Sequence, residues 1–102
     1  MLHTKIIDSN KDKILISKAD EFIKSSSFGA SIYFLGTVRN INQNKKVTGI
    51  TYDVHDEMVL KSFTEIYSEA NQKLGIEKKA VFIEHIKGYV GLGDISIIIA
   101  IA

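Results

Sequence analysis

Few residues in this chain have the types and spacing that chemistry needs. The best of them close an apolar stretch, Phe34-Leu35-Gly36-Thr37-Val38-Arg39. A guanidinium is a planar fork that holds a phosphate or carboxylate through paired, charge-assisted hydrogen bonds. An arginine at a strand end also sits where connecting loops gather and sites are built. Gly36 inside the stretch leaves room for a bulge or for the close approach of a ligand or another backbone. Residue type alone leaves two readings of Arg39 open, an anion ligand and an ordinary surface residue.

The remaining candidates narrow the chemistry by exclusion. His3, His55 and His85 are scattered. Asp53 and His55 alternate on an extended segment, but a metal site needs three or four ligands, so the pair reads as a polar sheet surface. There is no cysteine, hence no disulfide, thiolate metal site or cysteine nucleophile, which fits a reducing compartment. No phosphate-binding loop, Ser-His-Asp order or zinc spacing is present. Gly91-Leu92-Gly93-Asp94 precedes a strand and not a helix, so it reads as a hairpin turn and not as a nucleotide loop.

The chain of 102 residues is expected to form one domain, residues 1–102, and its 45% hydrophobic and 25% charged content is globular. A net charge of +1 lacks the basic field of a general nucleic-acid binder but allows a local anion site. Met1 to Asp8 has no signal-type apolar core, and the longest apolar run, Ile97 to Ala102, is too short to span a membrane. The expectation is a cytoplasmic protein with neither nucleic acid nor membrane as partner.

The elements that would position Arg39 follow from periodicity. His3 to Ile7 reads as a strand, Ser9 to Asp12 as a turn and Lys13 to Ile16 as an extended piece. Ser17 reads as the N-cap of a short helix with Ala19, Phe22 and Ile23 on its apolar face, stopped by Ser25-Ser26-Ser27 and Gly29. Ala30 to Arg39 is apolar on both faces, Ile32 and Phe34 on one, Tyr33 and Leu35 on the other, so it is expected to be a central strand. Asn40 to Lys46 reads as a polar loop and Val47 to His55 as a strand. Asp56 is the expected cap of a long helix whose apolar face is Val59, Phe63, Ile66, Tyr67, Ala70 and Leu74. Lys61–Glu65 and Glu69–Lys73 are (i, i+4) pairs on its outer side, and Gly75 is its stop. Lys79 to Lys87 and Ile95 to Ala102 are the last strands. The class is α+β, a mixed or antiparallel sheet with one short and one long helix. A sequence that stops inside an apolar run would leave a carboxylate near the core, so residues beyond Ala102 are expected in the natural protein.

Three segments together resemble the large, catalytic subunit of molybdopterin synthases. Gly29-Ala30 with Phe34 to Arg39 resembles that family's G-A…F-x-G-x-V-R signature. Ile50 to Met58 resembles its L-x-Y-E-x-Y-x-x-M stretch, with Asp53 in place of Glu and His55 in place of Tyr. His85-Ile86-Lys87-Gly88, then Gly93-Asp94 and an apolar strand, resembles H-R-x-G…G-[DE]-x-x-V-x-V, with Ile86 in place of Arg. Order and spacing agree over nearly the whole chain. Nothing matches the family's S-x-H-R segment or its lysine-bearing K-x-x-x-P-x-W-K-x-E stretch.

The resemblance implies an α/β-hammerhead fold and a sulfurtransferase. Two sulfurs are placed on a cyclic pyranopterin monophosphate, delivered as a thiocarboxylate on a small ubiquitin-like subunit. No cofactor or metal is needed for that step. It implies Arg39 as the catalytic, anion-holding residue, Thr37, Val38 and Arg39 as the substrate-binding strand end, and Phe34 packed beneath the pocket. Asp53, His55, Met58 and His85 are expected to be structural. A homodimer of large subunits with a small subunit at each far end is implied, and the apolar strand Ile95 to Ala102 also needs a cover. No lysine is placed beside Arg39 by sequence logic, so this chain alone is expected to be inactive. The alternative is a non-catalytic partner-binding or dimerisation module that kept the fold. A pterin- or nucleotide-binding regulator has no support beyond Arg39.

Overall fold

The structure, a computed structural model, describes residues 1–25, 27–75 and 78–102. Strand β1 (Leu2–Asp8) leads to helix α1 (Ile16–Ile23). Then come β2 (Ile32–Thr37), β3 (Ile41–Asn42), β4 (Lys45–Lys46), β5 (Gly49–Tyr52), the long helix α2 (Asp56–Leu74), β6 (Val81–Gly91) and β7 (Ile95–Ile101). The main sheet runs β1-β6-β7-β2, and β5 pairs with β6. β1 joins β6 in parallel; the other pairings are antiparallel. This is the expected α+β class. None of the helices is long and apolar enough to cross a membrane, among the described residues.

Pairing partners fix which side chains share a face. Phe82, Ile86, Ile98 and Ala100 point to one side, where α1 and Ile14 close over them. Ile98 and Ala100 are fully enclosed. Enclosing a side chain such as Ile98 contributes about 1.5–3 kcal/mol. On the other side lie Val81, Ile83, Ile97, Ile99 and Ile101, with Ile32 and Phe34 of β2 directly across from Ile101 and Ile99. Helix α2 lies against β1 on its way across the domain and buries none of its residues completely.

Several expectations need correction. β2 is an edge strand and not a central one, and nearly all of it is exposed. Its two apolar faces signal missing cover on one side, not a place inside the sheet. Lys13 to Leu15 form no strand, and Ile16 already opens α1. That helix is capped by Leu15 without a side-chain hydrogen bond, so Ser17 lies inside it. The burial of Ile14 and Ala19 sets the start of α1 in place of a polar cap. The serine run expected to stop it includes Ser26, which lies outside the described residues. Asp53, Val54 and His55 fall beyond the end of β5. His55, not Asp56, caps α2, its Nδ1 accepting a hydrogen bond from Met58 N–H at 3.3 Å. Gly75 ends α2 at φ 60°, as its position implied. The expected pairs Lys61–Glu65 (3.9 Å) and Glu69–Lys73 (2.8 Å) are both formed. β6 extends past Lys87 to Gly91 because β5 pairs with its last four residues.

Candidate anion site at the end of β2

β2 ends in a bulge. At Gly36 a Cβ would stand 2.6 Å from Ile97 Cγ2, so only glycine admits the neighbouring strand so closely, and the register shifts between Gly36 and Thr37. The chain then turns under the β6–β7 hairpin. Val38 N–H donates to Asp94 O at 3.2 Å, and Gly93 N–H donates to Val38 O at 2.8 Å. The Val38 side chain is 2% exposed and belongs to the core. Val38 is thus pinned by backbone and side chain alike, and Arg39 leaves it as an exposed residue with a fixed origin.

A third segment reaches the same place. Val47 N–H donates to Asn40 O at 2.8 Å, and Leu92 N–H donates to Thr48 O at 3.0 Å. Between Asn40 and Val47 the chain makes the small β3–β4 hairpin, with Ile41 opposite Lys46 and Asn42 opposite Lys45. Sequence reasoning left Lys45 and Lys46 in an unstructured polar loop. The signal was Gln43-Asn44, which adopt φ 51° and 62°, the left-handed pair of a tight two-residue turn. Three stretches therefore meet at Arg39, and the exposed Lys45 and Lys46 lie a few residues away along the hairpin.

The expected site residues fare differently. Thr37 and Arg39 are exposed at the junction, and Val38 is buried beneath it. Phe34 does not pack beneath a pocket: it is 58% exposed, three positions up the strand from Thr37, on the sheet face that carries Ile99. A cleft of about 490 Å³ abuts the junction from the α1 side, and its lining includes Asp12, Lys13, Tyr89, Gly93 and Asp94, but none of Phe34, Thr37, Val38 and Arg39. Asp12 is held below the usual carboxylate range by the backbone N–H of Lys13 and by the charge of Lys18.

Of the histidines, His85 lies in register with Gly36, two strands away across Ile97. His85 Nδ1 lies 2.6 Å from Ile86 O. His3 Nε2 pairs with Glu84 Oε2 at 2.8 Å. No group of three or more His, Cys, Asp or Glu side chains is placed to hold a metal ion, among the described residues.

The fold is that of the molybdopterin synthases. The crystal structure of molybdopterin synthase from Staphylococcus aureus superposes with a TM-score of 0.81 at 26% identity, over 94% of this chain and 66% of that one. A chain from Helicobacter pylori, solved as a complex of subunits 1 and 2 of molybdopterin-converting factor, shares the fold with a TM-score of 0.64 at 24% identity, over 98% of this chain and 63% of its own. The chain belongs to the MoaE protein family, whose model matches residues 9–102. The molybdopterin synthase catalytic subunit of Synechococcus elongatus is 35% identical over 88 residues, which are 86% of this chain and 53% of that protein. The chain thus spans about half the length of that relative.

Proposed function

We propose that the chain, as a single cytoplasmic domain, carries the precursor-binding part of a molybdopterin synthase catalytic subunit. The reaction moves sulfur from the thiocarboxylated tail of a small ubiquitin-like subunit to cyclic pyranopterin monophosphate. The observation that carries this reading is the placement of Arg39. It stands exposed where three segments converge, inside the stretch that the family model matches. Arg39 takes the phosphate or a pterin oxygen and offsets negative charge that develops as sulfur is transferred. Val38 holds its origin still and Thr37 offers a hydroxyl. Lys45 and Lys46 add positive potential around an anionic substrate. The family's lysine-bearing stretch has no match in these residues, so the chain by itself binds precursor without converting it.

The second large subunit joins at the free edge of β2. Ile32 to Thr37 carries no charge, so an antiparallel copy meets no like charge across the strand pair. Light scattering at tens of micromolar, an ordinary dimer concentration range, should report a dimer that Leu35→Lys turns into a monomer.

Arg39→Ala tests the central claim by calorimetric titration with the cyclic precursor. Loss of charge-assisted hydrogen bonds of about 1.5–3 kcal/mol should weaken binding roughly 10- to 100-fold. The melting temperature should stay within about 2 °C, since exposed substitutions rarely change stability much. Equal affinity in the two proteins would refute the assignment.

A further inference from the structure

One row of the sheet joins His85 to the end of β2 that leads to Arg39. Residues of a row stand side by side across the strands. This row is Ile6 on β1, His85 on β6, Ile97 on β7 and Gly36 on β2. Two strand spacings, about 9.6 Å, separate His85 from Gly36, and Arg39 is the third residue past that glycine. The surface between them is low. Gly36 has no side chain, and Ile97 Cγ2 comes so close that no Cβ could stand there. Gly36, Ile97 and His85 are half-buried, and Thr37 is exposed.

The His85 ring is held in one orientation. Its Nδ1 lies 2.6 Å from Ile86 O, and Tyr52 of β5 meets it edge-on at 5.2 Å. Ser9 N–H donates to Lys87 O on the β1 side. Successive carbonyls of a strand point to opposite edges, so Ile86 O faces the β7 side, and the ring that reaches it leans toward Gly36. A carbonyl oxygen only accepts, so Nδ1 carries a proton whatever the charge of the ring. The nitrogen that gains or loses a proton is therefore Nε2, which makes no hydrogen bond among the described residues. Tying one ring nitrogen to a backbone carbonyl is how a protein aims the other at a ligand.

We infer that His85 is a second precursor-binding residue beside Arg39. Protonated at Nε2, it donates to an anionic oxygen of the precursor while Arg39 holds another. The identity of the ligand rests on the sulfur-transfer reading. An imidazole changes charge between pH 5 and 8, whereas a guanidinium stays charged, so of the two contacts only this one depends on pH. Ile6 and Ile97, which flank the ring in its row, carry no charge. Tyr52 is a phenol, and Lys87, two residues on and opposite Asp8, is paired with Asp56 of α2 at 3.0 Å. Glu84 points to the other face, where it pairs with His3.

Calorimetric titration of this chain with the cyclic precursor, at pH 6 and pH 8 and in buffers of different ionisation heat, reads affinity and proton uptake together. Binding should tighten about tenfold from pH 8 to pH 6, the size of one charge-assisted hydrogen bond, with proton uptake. His85→Gln cannot titrate, so its affinity should be equal at the two pH values and the uptake should vanish. His55→Asn, which keeps an acceptor for the α2 cap, should behave as the parent does. If His85→Gln does not fold, His85→Phe keeps the ring contact with Tyr52 and takes its place in the comparison. A role in packing alone would lower the melting temperature of these variants and leave the pH dependence intact, and that result overturns the inference. A pH dependence lost in His55→Asn overturns it too. A parent that binds equally at both pH values, yet loses affinity in Arg39→Ala, overturns this inference alone. A parent that binds no precursor, or an Arg39→Ala variant that binds as tightly, overturns the sulfur-transfer reading and this inference with it.

Discussion

Replacing His3 with phenylalanine should lower stability by roughly 2–3 kcal/mol, almost entirely through what it does to Glu84. Glu84 is 2% exposed and lies with its Oε2 2.8 Å from His3 Nε2. Its Oε1 is buried with no hydrogen-bond partner among the described residues. The His3 ring stacks on Phe82 at 4.4 Å with 13° between the planes, and leans on Phe22 at 5.6 Å. A phenyl ring keeps both contacts and removes the polar partner alone. Both carboxylate oxygens are then orphaned. Taking one member from a buried pair costs about 3–5 kcal/mol. The His3 side chain is 33% exposed, so water reaches the pair from one side and the cost falls to the low end of that range or just below it. Adding Glu84→Leu to His3→Phe removes the stranded carboxylate, and stability should return to within about 1 kcal/mol of the parent or exceed it. In urea, with a slope of about 1–2 kcal/mol/M for a small domain, the single variant's midpoint should fall by roughly 1–3 M and the double variant's should recover. A single variant within about 0.5 kcal/mol of the parent, the usual spread of neutral substitutions, would refute the reasoning. So would a double variant no more stable than the single one.

Three further outcomes follow from local geometry. Gly88 has φ 98°, and a Cβ there would collide with the Ser9 hydroxyl, so Gly88→Ala should lower stability by about 1–3 kcal/mol in thermal melts. His55→Ala removes the cap of α2 and should cost about 0.5–1 kcal/mol by the same measurement, with Asp56→Ala costing less. The Tyr33 hydroxyl donates to Asp20, and this bond raises the phenol above its ordinary value of 10.0. The folded state therefore holds that proton more firmly than the unfolded chain. The stabilisation is complete below the ordinary tyrosine pKa and is lost as pH rises through the higher folded value. Ultraviolet titration should show the Tyr33 phenol deprotonating late, and Asp20→Asn should abolish the delay.

What could be read from the sequence depended on how local each signal was. The β6–β7 hairpin and α2 were legible because alternation, a glycine turn and a 3.6-residue stripe are written within a few residues. The edge position of β2 was not, because apolar residues on both faces look the same whether neighbours flank the strand or cover is missing. Phe34 was misjudged for that reason. Arg39 was legible as a strand-end residue, but its anchoring was not. The bonds from Val38 to Gly93 and Asp94 join segments more than fifty positions apart, as the pairing of His3 with Glu84 joins opposite ends of the chain. No spacing rule reaches that far. The β3–β4 hairpin was within reach, since Asn44 tolerates positive φ, but a run of polar residues masked it.

The strand order also has a meaning in time. Each strand of the main sheet finds its partner in β6 or β7: β1 and β5 pair with β6, β2 with β7, and these two with each other. Both hubs follow β1, β2 and β5 along the chain. Leu2 leaves the ribosome early, yet its partner is Val81. At about 5–20 residues per second the wait is on the order of 4–16 s, many orders longer than a hairpin needs to close. Until then α1 and α2 have no sheet to rest on, and the apolar residues of β1 and β2 have no strand beside them. The slow term is loop closure over most of the chain length. The nascent chain therefore stays open until β6 and β7 have been made, and assembles once they fold back on each other.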